Sequence, residues 1–250
     1  IIIMFIKKTT ILLFFFSFFL SFCQNKSKPT EIWEPIPNKI DAYNFSIAPS
    51  DAVVLFDGKN FSSWVTQYSN QSPKWKINKD GSMTVVNGTG GIKTKQSFGS
   101  VQLHIEWKTN ENVQNYTGQS RSNSGVFLQQ KYEVQILDSY ENPTYVNGQT
   151  GSVYKQYIPL VNSSKKPGEW QSYDIIFNAP VFDKKNLIKP GYFTVFQNGV
   201  LIQNHVQIQG TTTNVGLPKH EAHGNAPLVL QDHCCLAVSY RNIWIRKITD

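Results

Sequence analysis

From about residue 50 to the end of the chain, apolar and polar residues alternate with a period of two, and no long helical period appears. Such alternation places successive side chains on opposite faces of a β-strand. The pattern predicts strands at 52–56, 75–78, 83–86, 101–109, 124–129, 133–137, 151–154, 171–178, 192–197, 200–205, 228–232 and 240–247. Many short strands separated by turn signals indicate an all-β fold, a jelly-roll β-sandwich with one core.

The strongest hairpin signal is Asn198-Gly199, which lies between two β-rich runs. A type I′ turn needs a positive φ at both central residues, and Asn followed by Gly meets that need well. The pair therefore predicts a tight hairpin between the strands at 192–197 and 200–205.

The first residues have the pattern of an export signal. Lys7 and Lys8 precede an apolar run at 11–22. A positive patch followed by a short apolar run is typical of a secretory signal peptide, and the run is too short to indicate a spanning helix. We therefore expect a signal peptide at 1–22.

The residues that follow resemble a bacterial lipobox. The sequence Leu-Ser-Phe-Cys at 20–23 ends in Cys23, the residue that would be acylated, although Phe22 replaces the usual small residue. We expect a lipid on Cys23, a polar tether at 23–50 and a single domain at 51–250, in the periplasm or at the outer membrane. The alternative is a secreted protein without acylation.

The charge pattern argues against nucleic acid as a partner. The formal net charge is +7, and Lys7 and Lys8 contribute two of these charges. The remaining Lys and Arg residues are scattered, with no basic run. A mildly basic, solvated surface is the expected consequence.

The Cys and His residues do not have the spacing of a zinc site. Cys234 and Cys235 are adjacent, and disulfide geometry is hard to meet across one peptide bond, so we expect core residues or free thiols. His220 and His223 are three residues apart in a loop, whereas catalytic zinc helices use a spacing of four. We predict no metal site here.

The stretch at 132–138 carries the most informative polar residues. On a strand, Glu133 and Gln135 share one face, and the apolar residues between and beside them share the other. Asp138 breaks the period by one. The spacing Glu-x-Gln-x-x-Asp resembles the catalytic strand of jelly-roll glycanases that retain configuration and use two carboxylates about 5–5.5 Å apart. The alternative is an edge strand with solvated polar residues.

A second cluster lies near 228–233. Alternation places Val229, Gln231 and His233 on one face. A His can accept or donate a proton near neutral pH, and His233 follows Asp232 at a predicted strand end. We therefore expect His233 to act in catalysis or substrate binding.

The last predicted strand would place Tyr240, Asn242 and Trp244 on one face. Arg241 would then lie on the other face, at the edge of the site or paired with a carboxylate. Alternation along 101–109 puts His104 and Glu106 together, opposite Trp107.

A third candidate segment is Asn123-Ser124-Gly125. Gly125 would permit close backbone approach, and Asn123 could hydrogen-bond a ligand. Ordinary turn chemistry remains the alternative for Ser124 and Gly125.

Taken in order, these segments resemble the 3-keto-disaccharide hydrolase domain family. The resemblance covers about residues 51–250. Its motifs are Leu55-Phe56-Asp57-Gly58-Lys59, Asp80-Gly81, Glu106-Trp107, Asn123-Ser124-Gly125-Val126, Tyr132-Glu133-Val134-Gln135-Ile136-Leu137-Asp138, Gly151 with Tyr154, Gly168-Glu169-Trp170, Asn198-Gly199, Leu230-Gln231-Asp232-His233 and Arg241-Asn242-Ile243-Trp244-Ile245.

The resemblance implies a concanavalin A-like jelly roll that acts on glycosides already oxidised to a ketone at C3. Such a ketone acidifies the C2 hydrogen, so that a base, an enolate donor and an acid for the leaving oxygen suffice for β-elimination. We expect Glu133 and His233 to be the base and the acid, in either order, with Asp138 orienting. The expected substrate contacts are Asn123, Gln135, Gln231, Arg241, Glu106 and Tyr154. The sequence requires no cofactor, although a divalent cation is compatible with this chemistry.

Two other functions stay open at this point. One is a retaining glycanase that uses Glu133 and Asp138, and the other is a non-catalytic sugar-binding lipoprotein, because a jelly roll does not fix function. The expected partners are a carbohydrate substrate, a membrane reached through the N-terminal lipid, and an enzyme in the same compartment that oxidises glycosides at C3.

Overall fold

The structure is a computed structural model that describes residues 36, 39, 41 and 47–248. The predicted signal peptide, the acylation of Cys23 and most of the tether lie outside the described residues. The chain divides into two units, 1–40 and 41–250. In the first unit, Ile36 and Lys39 are described, and both are exposed.

The second unit consists of antiparallel β-strands joined by turns and loops. The strands are β1 (Val53–Phe56), β2 (Trp64–Thr66), β3 (Lys76–Ile77), β4 (Met83–Thr84), β5 (Ile92–Phe98), β6 (Val101–Lys108), β7 (Ser124–Leu128), β8 (Tyr132–Ile136), β9 (Trp170–Asn178), β10 (Val181–Asp183), β11 (Asn186–Lys189), β12 (Tyr192–Gln197), β13 (Val200–Gln207), β14 (Ala226–Leu230) and β15 (Ser239–Lys247). Single 3₁₀ turns occupy Gly118–Ser120 and Val146–Gly148. The predicted all-β fold is confirmed.

Two sheets form a sandwich. The larger sheet has the order β13-β12-β9-β6-β15-β4-β3, with β1 also paired to β15, and the smaller has the order β2-β5-β14-β7-β8. Leu103 and Ile105 from the first sheet and Val134 and Ile136 from the second are fully buried in one core cluster. Burying a side chain of this size contributes roughly 1.5–3 kcal/mol, so this interior determines which strand faces point inward.

Most predicted strands are present within one or two residues of their predicted ends. The hairpin prediction is confirmed, because Asn198 and Gly199 have φ values of +53° and +80° between β12 and β13. The prediction of a strand at 151–154 is wrong: only Val153 forms isolated bridges there. Gly151 has a φ of +77°, which turns the chain out of the extended conformation. The pattern missed β2, β5, β10 and β11.

The face assignment along β15 is wrong because of a β-bulge. Arg241 pairs with Glu106 and Trp244 pairs with His104, so two residues of β15 oppose one residue of β6. Asn242 takes the extra position with a φ of +47°, a conformation that Asn tolerates better than most residues. The bulge reverses the alternation, and the core therefore receives Tyr240, Ile243 and Ile245, while Trp244 stacks on His104 outside it.

In the part of the chain that the structure describes, no helix is long and apolar enough to cross a membrane.

Candidate active site

A cavity of about 470 Å³ lies against the outer face of the smaller sheet, over β7 and β8. Its lining is mostly amide, hydroxyl and aromatic groups, with one carboxyl group. The lining residues are Gln119, Asn123, Phe127, Glu133, Gln135, Tyr145, Tyr154, Thr212, Asn214, Gln231 and His233.

Strand alternation brings Glu133 and Gln135 to the cavity. Val134 and Ile136 enter the core, so the residues on the other face of β8 point outward. Gly125 of β7 pairs with Gln135, and a Cβ at that position would overlap Oε1 of Glu133. The absence of a side chain on Gly125 therefore gives the Glu133 carboxyl group its place.

Glu133 is a buried carboxyl group with no compensating positive charge. It is 4% exposed, and among the residues described no Lys or Arg forms an ion pair with it. Burial disfavours the charged form and raises the pKa of Glu133 to about 8. A carboxyl group that titrates near neutral pH can both accept and donate a proton during a reaction.

Neighbouring groups hold Glu133 in position. Its backbone N–H donates to Thr212 Oγ1 at 3.0 Å. In one amide orientation, Gln135 Nε2 donates to Gln119 Oε1 and to the carbonyl oxygen of Gly148, at 3.3 Å each. In the exchanged orientation, its nitrogen donates to Glu133 Oε1 and to the carbonyl oxygen of Ser124, at 2.9 Å each. Thr212 therefore holds the backbone of Glu133, and the exchanged orientation of Gln135 also holds its carboxyl group.

Gln231 and His233 reach the same cavity from the end of β14. The backbone N–H of Gln231 donates to Gly125 at 3.1 Å, and its carbonyl oxygen accepts from the Ser124 hydroxyl at 2.6 Å. Oε1 of Gln231 and Nδ1 of His233 are buried without a hydrogen-bond partner in the described part of the chain. Such unpaired buried groups cost roughly 1–3 kcal/mol each, so they indicate a site that a ligand completes.

The structure brings six of the predicted site residues together. Glu133, His233, Gln135 and Gln231 line the cavity, as do two further predicted contacts, Asn123 and Tyr154. The Asn123 amide donates to the backbone and side-chain oxygens of Gln119, at 3.0 Å each. Burial raises the pKa of Tyr154, and its hydrogen bond to Tyr145 acts in the same direction.

Asp138 does not line the cavity. Its side chain is 1% exposed, and Oδ2 accepts from Nε and Nη2 of Arg121 at 2.8 and 2.5 Å. Oδ1 accepts from the backbone N–H of Tyr140 at 3.1 Å. Burial raises the pKa of Asp138 and Arg121 opposes that rise. These contacts join two loops, and none of them goes to His233, which Asp138 was expected to orient.

Glu106 and Arg241 lie on the larger sheet, in a separate groove of about 560 Å³. Nε of Arg241 donates to Glu106 Oε2 at 2.6 Å, and the Asn242 amide donates to Oε1 at 2.8 Å. Burial would raise the pKa of Glu106, but the nearby His104 ring and the hydrogen bonds from Asn242 and Arg241 outweigh it and lower the pKa to about 2. The two predicted contacts therefore form a charge cluster away from Glu133.

The sequence patterns missed five of the lining residues. Phe127 shares a face of β7 with Gly125, so alternation alone could have identified it. The others, Gln119, Tyr145, Thr212 and Asn214, lie outside strands, where no period indicates which side chains converge.

The two adjacent cysteines do not form a disulfide with each other. Cys234 and Cys235 are free, Cys234 is exposed, and their sulfur atoms lie 2.8 Å apart. They are therefore thiols rather than core residues.

Within residues 47–248 and the three described before them, no group of three His, Cys, Asp or Glu side chains is placed to hold a metal. The compatibility with a divalent cation stays a prediction.

Comparison with known proteins identifies the family. The sequence model of the 3-keto-alpha-glucoside-1,2-lyase-like domain matches residues 51–246. The chain belongs to this family. A search of curated protein sequences gives no match.

The fold is shared with solved structures from Parabacteroides distasonis ATCC 8503. One, described as a "putative glycosyl hydrolase", is 47% identical with a TM-score of 0.84, over 88% of this chain and 96% of that one. Another with the same description is 19% identical with a TM-score of 0.59, over 80% and 94% of the two chains. A third is 21% identical with a TM-score of 0.55, over 79% and 99%. The family and the first of these structures support a carbohydrate-active enzyme, and the other two support the fold alone.

Proposed function

We propose that this cavity binds glycosides carrying a ketone at C3 and cleaves their glycosidic bond by elimination followed by hydration. The observation that supports this most strongly is Glu133, a buried carboxyl group with a pKa of about 8, in one cavity with His233. A proton-transfer group is most effective when its pKa lies near the working pH. A C2 hydrogen beside a ketone is acidic enough for such a base.

In the proposed reaction, ionised Glu133 takes the C2 proton and the C3 carbonyl becomes an enolate. The enolate collapses, the C1–O bond breaks and the leaving oxygen takes a proton from His233. The product is an enone with a double bond between C1 and C2. Water then adds its hydroxyl to C1 and its proton to C2, which completes a net hydrolysis.

The amides of the cavity suit the remaining tasks. Gln231 and Asn123 offer donors and acceptors for sugar hydroxyls and for the oxygen on which negative charge develops. In its exchanged amide orientation, Gln135 would donate to Glu133 and stabilise the ionised form during proton transfer. Among the described residues that line the cavity there is no Lys or Arg, so these amides supply orientation through hydrogen bonds.

The cavity fits a retaining glycanase poorly. That mechanism needs two carboxyl groups about 5–5.5 Å apart. The lining has one, Glu133, while Asp138 is bound by Arg121 away from the cavity. A purely sugar-binding protein would have no need for a buried, uncompensated carboxyl group, because burying such a group is costly.

The proposal extends to location. A lipidated Cys23 and a tether at 23–50 would hold the domain outside the cytoplasmic membrane. An enzyme in the same compartment that oxidises glycosides at C3 would then supply the substrate.

The direct test is to incubate the purified protein with a chromogenic 3-keto-glucoside in deuterated water. We expect release of the aglycone and deuterium at C2 of the product. Glu133→Gln should abolish both, whereas Glu169→Gln, at an exposed residue outside the cavity, should leave both intact. A wild-type rate equal to that of buffer would exclude the proposal. Binding that Glu133→Gln leaves unchanged, without turnover, would favour the sugar-binding alternative.

A further inference from the structure

The ammonium group of Lys155 contacts three residues that line the cavity. Its Nζ donates to the backbone oxygen of Asn214 at 2.5 Å and to Asn214 Oδ1 at 2.8 Å. It also lies over the rings of Tyr145 and Tyr154, 5.6 and 5.4 Å from their centroids. Cations are attracted to aromatic faces at this range. One side chain, itself not part of the lining, therefore joins Tyr145, Tyr154 and Asn214.

The backbone of Lys155 has a conformation that a side chain disfavours. Its φ is +58°, a region that costs residues with a Cβ about 1–2 kcal/mol. The backbone N–H of Lys155 donates to the carbonyl oxygen of Asn147 at 2.8 Å, which holds the residue in this conformation.

The three residues form one wall of the cavity. The hydroxyl oxygens of Tyr145 and Tyr154 are 2.7 Å apart, and the rings meet at 68°. The Tyr154 hydroxyl also donates to Asn214 Oδ1 at 3.3 Å. Because Oδ1 accepts from both Lys155 and Tyr154, the amide nitrogen of Asn214 is directed away from these donors. The wall thus presents two aromatic rings together with hydroxyl and amide groups.

This wall and His233 lie on opposite sides of Glu133. The sheet runs β14-β7-β8, and Gln231 and His233 follow the end of β14. Beyond β8, the backbone N–H of Tyr154 donates to the carbonyl oxygen of Glu133 at 3.2 Å. The cavity therefore has an amide and imidazole half and an aromatic half, with the proton-transfer carboxyl group between them.

We propose that Lys155 is a positioning residue that holds Tyr145, Tyr154 and Asn214 as the subsite for the leaving sugar of a disaccharide. This inference rests on the proposed function, in which the oxidised ring lies beside Glu133 and His233. Aromatic faces pack against the C–H groups of a sugar ring, and the nearby amide and hydroxyls can bond its oxygens.

The test compares two substrates, a 3-keto-disaccharide and the methyl 3-keto-glucoside, whose leaving group is too small to reach the wall. Lys155→Met should lower kcat/KM for the disaccharide about tenfold, the loss expected for hydrogen bonds made by a charged group, and mainly through KM. The loss for the methyl glycoside should be several times smaller. Lys155→Arg, which keeps the cation, should recover most of the disaccharide activity.

Lys184→Met is the matched control. Lys184 also has a positive φ, +53°, but it lies exposed in the turn between β10 and β11, outside the cavity lining. This variant should behave as wild type with both substrates. Equal losses for both substrates in Lys155→Met, or no loss for either, would overturn the inference while leaving the proposed function intact.

Binding provides a readout that does not depend on turnover. Calorimetry with an unoxidised disaccharide and with methyl glucoside should show that Lys155→Met weakens the disaccharide selectively. If the wild-type protein turned over neither keto substrate, the proposed function would fail and with it the role of the wall as a leaving-group subsite, whereas selective weakening would still show that Lys155 maintains a site for a second sugar ring. Disaccharide binding that is equal in wild type and Lys155→Met would refute it.

Discussion

The carboxyl group of Glu133 occupies the space that a side chain on Gly125 would need. A Cβ on Gly125 would overlap Oε1 of Glu133 and lie 2.7 Å from the Phe127 ring. Gly125 is not among the residues with positive φ, so the requirement is steric rather than conformational. The absence of a side chain on Gly125 of β7 therefore leaves room for the Glu133 carboxyl group on β8.

The substitution Gly125→Ala should therefore move the carboxyl group and reduce kcat/KM by about 100-fold, since a displacement of about 1 Å can have that effect. Melting temperature and kcat/KM measured on one preparation would separate misplacement from unfolding. The matched control is Gly224→Ala, because a Cβ there has no atom within 4 Å. An active Gly125→Ala protein would show that the position of Glu133 is not critical.

The burial of Glu133 should also make the stability of the protein depend on pH. The native pKa is about 8 and the ordinary value is 4.5, so between these pH values the folded protein holds a proton that the unfolded chain has lost. Protonation of Glu133 therefore favours the folded state: its contribution to the free energy of unfolding is present in full below about pH 4.5 and is lost as the pH rises through about 8. Glu133→Gln should remove this pH dependence and stabilise the protein at pH 8.5 by on the order of 2–4 kcal/mol. Urea unfolding at pH 5 and pH 8.5 measures the effect. An equal change in unfolding free energy between the two pH values in wild type and Glu133→Gln would contradict it.

Activity should change with pH in the opposite direction. If Glu133 is the base, its ionised form is required, and kcat/KM should rise about tenfold per pH unit until it levels off near pH 8. A pH–rate profile of the wild-type protein tests this. A profile without an ascending limb that ends near pH 8 would contradict the role of Glu133 as the base.

The sequence was sufficient to predict which residues share a face in the regular strands. Alternation correctly placed Glu133 and Gln135 opposite Val134 and Ile136, because core burial leaves one register for β8. The same reasoning failed for β15, because the extra residue at Asn242 shifts the period by one. A bulge depends on pairing with a distant strand, and alternation along one segment does not reveal it.

Long-range contacts also separate the predicted site residues that converge from those that do not. Gln231 and His233 meet Glu133 because β14 and β8 both pair with β7, a relationship spanning about half the domain. Asp138 follows β8 directly, yet its carboxylate turns to Arg121. Tyr145 and Asn214, which line the cavity beside Tyr154, lie in loops without a periodic signal, so their convergence follows only from the tertiary fold.

The structure predicts that Asp138 stabilises the fold, whereas the sequence led us to expect a role in catalysis. Asp138→Asn leaves the Arg121 guanidinium without its charged partner and should cost roughly 3–5 kcal/mol, the range for breaking a buried ion pair. Activity per folded molecule should change little, because the carboxylate makes no contact with Glu133 or His233. Chemical denaturation together with active-site titration would distinguish the two effects. A stable but inactive Asp138→Asn protein would restore Asp138 to the catalytic set.

Glu106 provides the corresponding test on the larger sheet. Its pKa is lowered to about 2, so its stabilising contribution is present above the ordinary value of 4.5 and is lost as the pH falls toward 2. Because the side chain is 15% exposed, we expect Glu106→Gln to cost roughly 1–3 kcal/mol at pH 7, and the difference from wild type to shrink between pH 4.5 and pH 2.5. The KM for a 3-keto-glycoside should stay at the wild-type value, since the groove that holds Glu106 and Arg241 is separate from the cavity. A raised KM with unchanged stability would instead place substrate against Glu106 and would require a second binding surface on this sheet.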